Sequence, residues 1–291
     1  MASPDMIIIT PKEKDIGAFA VRRALPDIKK RAVGPFVFFD HFGPVTLGGE
    51  DAMDVRPHPH INLATVTYLF EGQIQHRDSL ATQIIIHPGA INLMVAGRGI
   101  AHSERTPADV RRNGGTLHGL QLWLALPEAD EQTDPAFYHY PKEDIPSGCA
   151  GDADVRVMMG AAFGLSSPVK LFSPTLYVEA TFAGSGALSL PQEYQELAIY
   201  AVDGTVFVNN TTIEKGQMGI VEGGGEGPLT MQSDGAAHCA VIGGSPLGRR
   251  HLWWNFVSSD PARIDQAKQD WREGRFGSVP GETDFIPLPD K

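Results

Sequence analysis

Short apolar stretches separated by turn residues make up most of the chain. Ala64–Phe70, Gln83–His87, Val155–Met159, Thr175–Phe182, Gly186–Leu190, Glu196–Val202 and Thr205–Val208 are runs of this kind, rich in β-branched and aromatic residues. Glycine and proline, 32 and 22 in number, fall mostly between the runs. This rhythm predicts strands in a sandwich or barrel rather than a helical bundle. Met6–Thr10, Ala18–Ala24 and Gly34–Phe39 carry the strand pattern toward the N-terminus, with a charged turn expected at Lys12–Asp15. Gly43–Met53 reads as a loop and Asn209-Asn210 as an exposed hairpin turn.

Helical period is confined to one place. Ile264, Ala267, Lys268 and Trp271 fall on one helical face, after Asp260 as N-cap and Pro261 at the first helical position. Gly274 suits the C-terminal end, so a helix is expected over about 261–273, followed by an extended proline-rich tail. The preceding Trp253-Trp254-Asn255-Phe256 reads as a core strand.

The pattern also divides the chain. Pro127–Gly151 is acidic and broken by Pro135, Pro141 and Pro146, which reads as a crossover with Phe137-Tyr138-His139-Tyr140 as an aromatic anchor. On either side, Tyr68-Leu69-Phe70-Glu71-Gly72 is echoed by Tyr200-Ala201-Val202-Asp203-Gly204. Repeated strand–turn grammar predicts a duplicated barrel. The expected boundaries are 1–130, a linker over 131–154, and 155–291 with the helix and tail. Gly223-Gly224-Gly225 is a glycine loop without the strand-to-helix setting of a phosphate cradle.

Charge narrows the partners. Thirty-five Asp and Glu against 24 Lys and Arg leave a net charge of −11 over 291 residues. That argues against direct nucleic-acid contact, which needs a basic surface. Cys149 and Cys239 are the two cysteines, too few for a disulfide framework. The N-terminus lacks a basic segment followed by an apolar one, and no apolar run approaches a bilayer span. A cytoplasmic protein without a membrane partner is expected.

The chemistry gathers between Arg56 and Glu104. Alternate residues of a strand leave the same face, so His58 and His60 point together, as do His102 and Glu104. If the two strands lie side by side, three imidazoles and one carboxylate converge as a metal site. Imidazole suits iron, copper, nickel and zinc, while a carboxylate adds hardness that favours iron or manganese. A closed tetrahedral zinc would make the site purely structural. His41, His76, His87 and His118 lack a partner at ligand spacing and read as structural, with His76 or His118 placed to orient a ligand histidine.

These residues also carry a resemblance. Val33-Gly34-Pro35-Phe36, Asp40-His41-Phe42-Gly43-Pro44, Pro57-His58-Pro59-His60 and His76-Arg77-Asp78-Ser79 are part of it. Ala96–Glu104 and His118-Gly119-Leu120-Gln121-Leu122-Trp123 complete it, with an echo in Pro280-Gly281-Glu282 and Phe285–Pro289. Together they resemble the pirin family of the cupin superfamily. The resemblance implies an all-β bicupin of two cupin-type barrels with a short C-terminal helix. It also implies a divalent metal held by His58, His60, His102 and Glu104, usually Fe(2+), with Mn, Ni, Co, Cu or Zn as alternatives. The family pattern is departed from beside this site, at Ile61-Asn62-Leu63-Ala64 and at Ala90 with Leu93 and Met94.

Two functions follow from the resemblance. One is a quercetin 2,3-dioxygenase-like enzyme taking dioxygen and a chelating, flavonol-like substrate, with Glu104 as general base. The other is a redox-sensing iron protein acting on a protein partner.

Overall fold

The computed structural model describes residues 6–17, 19–222 and 228–290. Gly223-Gly224-Gly225 lies outside them. Strands account for most of the architecture, arranged as two seven-stranded sheets and two four-stranded sheets with minor ladders. The first large sheet runs Ala136–Tyr140, Ile91–Val95, Leu63–Glu71, Gly115–Ala125, Phe36–Leu47, Ala20–Leu25 and Lys12–Asp15 in spatial order. Its smaller companion runs Asp54–His60, Ile100–Arg105, Ile74–Asp78 and Gln83–Ile86.

The second set repeats that plan. The large sheet runs Ile7–Ile9, Met218–Glu222, Glu196–Asp203, Ala237–Gly244, Thr175–Phe182, Ala153–Met159 and Ser147–Ala150. The small one runs Gly186–Ser189, Thr230–Ser233, Val206–Val208 and Thr211–Ile213. The two echoed segments occupy the same place in each plan, the strands Leu63–Glu71 and Glu196–Asp203. Each ends in a glycine of positive φ, Gly72 at 90° and Gly204 at 74°. A Cβ at Gly72 would fall 2.2 Å from the Thr116 carbonyl oxygen, and one at Gly204 2.4 Å from that of Ala236. Only glycine fits either turn. The fold is all-β with two cupin domains, each pairing a large and a small sheet with an apolar core.

Contacts group the chain differently from the sequential boundaries. One unit comprises 1–13, 22–40 and 143–246; the other comprises 14–21, 41–142 and 247–291. The C-terminal helix, Pro261–Arg272, thus joins the unit of the histidine motifs rather than 155–291. Asp260 caps it by accepting the Ala262 N–H at 2.9 Å, and Ile264, Ala267 and Trp271 are buried. They pack in one cluster with Ile61, Ala101 and Phe256.

Local expectations are corrected in several places. Lys12–Asp15 is an exposed edge strand, since charge on both faces is tolerated where one edge meets water. The strand from Phe36 continues to Leu47 through Gly43-Pro44, shortening the expected loop. Ala136–Tyr140 is an edge strand paired to Ile91–Val95 rather than linker. Trp253 to Phe256 is a hairpin turn between His251–Trp253 and Phe256–Ser258, with Trp254 at φ 51°. A short helix, Ala108–Asn113, has no counterpart in the sequence reading. Asn209 and Asn210, both at positive φ, form the expected hairpin turn. Both cysteines are free. Among the described residues, no helix is long and apolar enough to cross a membrane.

Candidate metal centre

The His58 and His102 strands pair antiparallel, with His102 directly opposite His58 and Ile100 opposite His60. Pairing across one face brings the three imidazoles together. Ring centroids are 4.3 Å apart for His58–His102, 5.0 Å for His60–His102 and 5.1 Å for His58–His60. Among the described residues, these three form the group whose donor atoms all lie within 4.8 Å of one another.

Each ring has one nitrogen occupied by the protein. His58 Nδ1 lies 2.9 Å from the Arg56 carbonyl oxygen, and His60 hydrogen-bonds the Asn255 carbonyl. His102 Nδ1 faces His76 Nδ1 at 3.4 Å. Two of the remaining nitrogens, His60 Nδ1 and His102 Nε2, are buried with no partner. A buried polar atom without a partner is costly unless something else meets it. Three converging lone pairs fit a divalent transition ion.

Electrostatics favour the neutral rings a metal needs. Burial lowers His58 to about 4, with the Arg56 hydrogen bond opposing and His76 assisting. Burial and the neighbouring imidazoles hold His60 and His102 well below the usual histidine range. All three offer lone pairs at neutral pH.

Glu104 stands two residues past His102, beyond a bulge that shifts the register from His102–His58 to Glu104–Val55. Its carboxylate is not within the 4.8 Å histidine group. Burial pushes its pKa up to about 7. A cation nearby would lower it again.

The surroundings complete the wall. Trp123 meets His60 edge-on at 5.1 Å, and Phe137 lies against His76 at 4.4 Å. Both come from the facing large sheet, where Phe137, Met94, Thr65 and Trp123 share one row. His76 approaches the triad as expected for an orienting residue. His41 and His118 instead meet each other, Nε2 to Nε2 at 2.7 Å. Sequence reading gave Asp78, Phe137, Trp123 and Asn255 no place at the site. The His-x-Asp spacing of His76 and Asp78 was the available signal, since it places both on the His102 side of their strand.

Residues 18–124 match the Pirin family, and residues 177–277 match the Pirin C-terminal cupin domain. A pirin-like protein of Caulobacter vibrioides is 41% identical over 289 residues, covering 98% of this chain and 99% of its own. The chain belongs to the pirin family. Among solved pirin-fold structures, a quercetin 2,3-dioxygenase from Acinetobacter baumannii superposes with a TM-score of 0.88 at 32% identity. That match covers 99% of this chain and 96% of the other. A bacterial pirin from Escherichia coli, in complex with nickel(II), shares the fold at 15% identity. Its TM-score is 0.66, covering 83% of this chain and all of its own.

The second cupin domain shows no such triad among the described residues. In the strand pair occupying the same place as the His58 and His102 strands, Leu188 lies opposite Met231. Both are buried in the apolar core of that unit. Fully burying such side chains contributes about 1.5–3 kcal/mol each. There, packing replaces ligation.

Proposed function

We propose that this pirin is a metal-dependent, ring-cleaving dioxygenase of the quercetin 2,3-dioxygenase type, with iron held by His58, His60, His102 and Glu104. The observation that carries the reading is the set of buried imidazole nitrogens left free beside one another. The 32% identity to the Acinetobacter baumannii quercetin 2,3-dioxygenase over nearly the whole chain supports it. When bound, a divalent transition ion supplies Lewis acidity toward a chelating hydroxyl and a redox partner for dioxygen.

The chain's own residues do the rest. His58, His60 and His102 present neutral nitrogens from two paired strands, so the donor set is fixed by sheet register rather than by loops. Glu104, as base, accepts the proton of the substrate's 3-hydroxyl on a carboxylate oxygen. Trp123 and Phe137 cover the imidazoles with apolar surface and limit water at the centre. The substrate class is a flavonol or similar enolic chelator, and its ring opens with carbon monoxide as the second product.

The test is oxygen uptake and carbon monoxide release by metal-replete protein over a series of flavonols. Turnover dependent on both metal and flavonol is expected. Absence of oxygen consumption with every member of the series overturns the assignment.

A further inference from the structure

Asp78 is fully buried, and its hydrogen bonds leave it one role. Its Oδ1 accepts the backbone N–H groups of Leu80 at 2.9 Å and Thr82 at 3.0 Å. Its Oδ2 lies 3.0 Å from His76 Nε2. An ionised carboxylate only accepts, so His76 Nε2 must carry a hydrogen. A neutral His76 then has a lone pair at Nδ1, the atom 3.4 Å from His102 Nδ1. Two bare nitrogens at that distance repel, so opposite a His76 with its hydrogen on Nε2 alone the donor of this contact is His102 Nδ1. Its Nε2 is left as a lone pair, and this is the buried nitrogen that has no partner in the protein.

Each link is held in place from outside. The Asp78 turn is closed further by Ala81 N–H to the Asp78 carbonyl at 3.1 Å. Phe137 lies against the His76 ring, with planes 31° apart. Strand pairing sets His102 opposite Asp78 and Glu104 opposite His76, so the relay spans the two strands at a fixed register.

We infer that Asp78 and His76 act as a positioning relay that fixes the tautomer of His102, keeping its Nε2 free for a metal beside His58 and His60. The inference rests on the metal-centre reading above and adds two residues to it. Unassisted neutral histidine favours hydrogen on Nε2, the wrong form for this centre. The hydrogen bond made by the other nitrogen decides which form is present. Outer partners of this kind typically contribute about 10- to 100-fold in metal affinity.

The decisive measurement needs neither metal nor substrate. Metal-free protein labelled with ¹⁵N-histidine is observed by long-range ¹H–¹⁵N correlation, with rings assigned through the signals lost in His76→Gln and His102→Gln. His102 is expected with hydrogen on Nδ1 and His76 with hydrogen on Nε2. Hydrogen on His102 Nε2 overturns the relay, whatever the protein does with flavonols. A second arm measures zinc affinity by chelator competition in His76→Phe, which keeps the ring against Phe137 and the Asp78 turn. Zinc binding weakened about 10- to 100-fold is expected, and unchanged binding overturns the inference.

Discussion

Ser103 donates its hydroxyl hydrogen to Glu282 Oε1 at 2.8 Å, across 179 residues of chain. Arg105 reaches the same carboxylate, with Nε at 3.2 Å from Oε1. Ser103 and Arg105 flank Glu104, so the tail grips the outer face of the strand whose inner face carries His102. The Ile286 N–H also bonds the carbonyl of Pro57, beside His58, at 2.8 Å.

Glu282 should therefore make stability depend on acid pH. Burial alone would raise its pKa, but hydrogen bonds from Arg105 and Ser103 and the charges of Arg105 and Arg77 outweigh burial and hold it low. A folded pKa below the unfolded one stabilises fully above the ordinary glutamate range and is lost as pH falls through the folded value. Glu282→Gln is expected to cost about 2–3 kcal/mol at pH 7 and to flatten the fall of Tm below about pH 5. Thermal melts across that range check it; parallel curves for variant and wild type would contradict it.

Glu104→Gln separates base from ligand. It removes the proton acceptor but keeps an oxygen donor, so turnover should fall by about two to four orders of magnitude. Metal content should fall far less. His102→Ala should lose metal and turnover together, as elemental analysis beside an oxygen-electrode assay will show.

Removing metal should leave the fold standing. The unit's apolar cluster of Val21, Phe42, Leu47, Met53, Leu69, Ile74, Ile86 and Leu117 is buried without reference to the histidines. Far-ultraviolet circular dichroism should match with and without chelator. Metal present at a thousand times its Kd should raise stability by about 4 kcal/mol. Collapse of the spectrum on chelation would identify a structural ion instead.

Glu131 should prove costly to lose. It is 5% exposed, and its carboxylate accepts from Asn62 Nδ2 at 3.1 Å, Ser258 Oγ at 3.2 Å and the Ser259 N–H at 2.8 Å. Arg250 pairs with it at 3.2 Å. Glu131→Ala takes the close carboxylate from a 5%-exposed arginine and leaves several donors unmet, for a loss of about 3–5 kcal/mol. Chemical denaturation measures it, and a loss under 1 kcal/mol would show that the network contributes little.

What the sequence disclosed follows from distance along the chain. His58 with His60 is visible because strand alternation is a two-residue rule, and His102 joins them by strand pairing. The duplication is visible because Gly72 and Gly204 close the same turn. The C-terminal helix shows its cap and stripe locally. Glu131 was hidden in a stretch whose acidity and prolines read as linker, since its partners at Asn62 and Ser258 are remote. Asn255 and Glu282 were hidden for the same reason. Ala108–Asn113 is six residues with no buried side chain, so it offers no apolar stripe to detect.

The grouping of 247–291 with 41–142 orders events during synthesis. The ribosome makes His58, His60 and His102 early, then the whole of the segment 143–246, and only afterwards Asn255 and Glu282. Domains fold as units while the chain emerges. Until then His60 lacks its carbonyl acceptor and the His102 strand lacks its grip, although all three histidines have been translated. Closure of the histidine pocket is accordingly a late step, after every residue of the other unit has been translated.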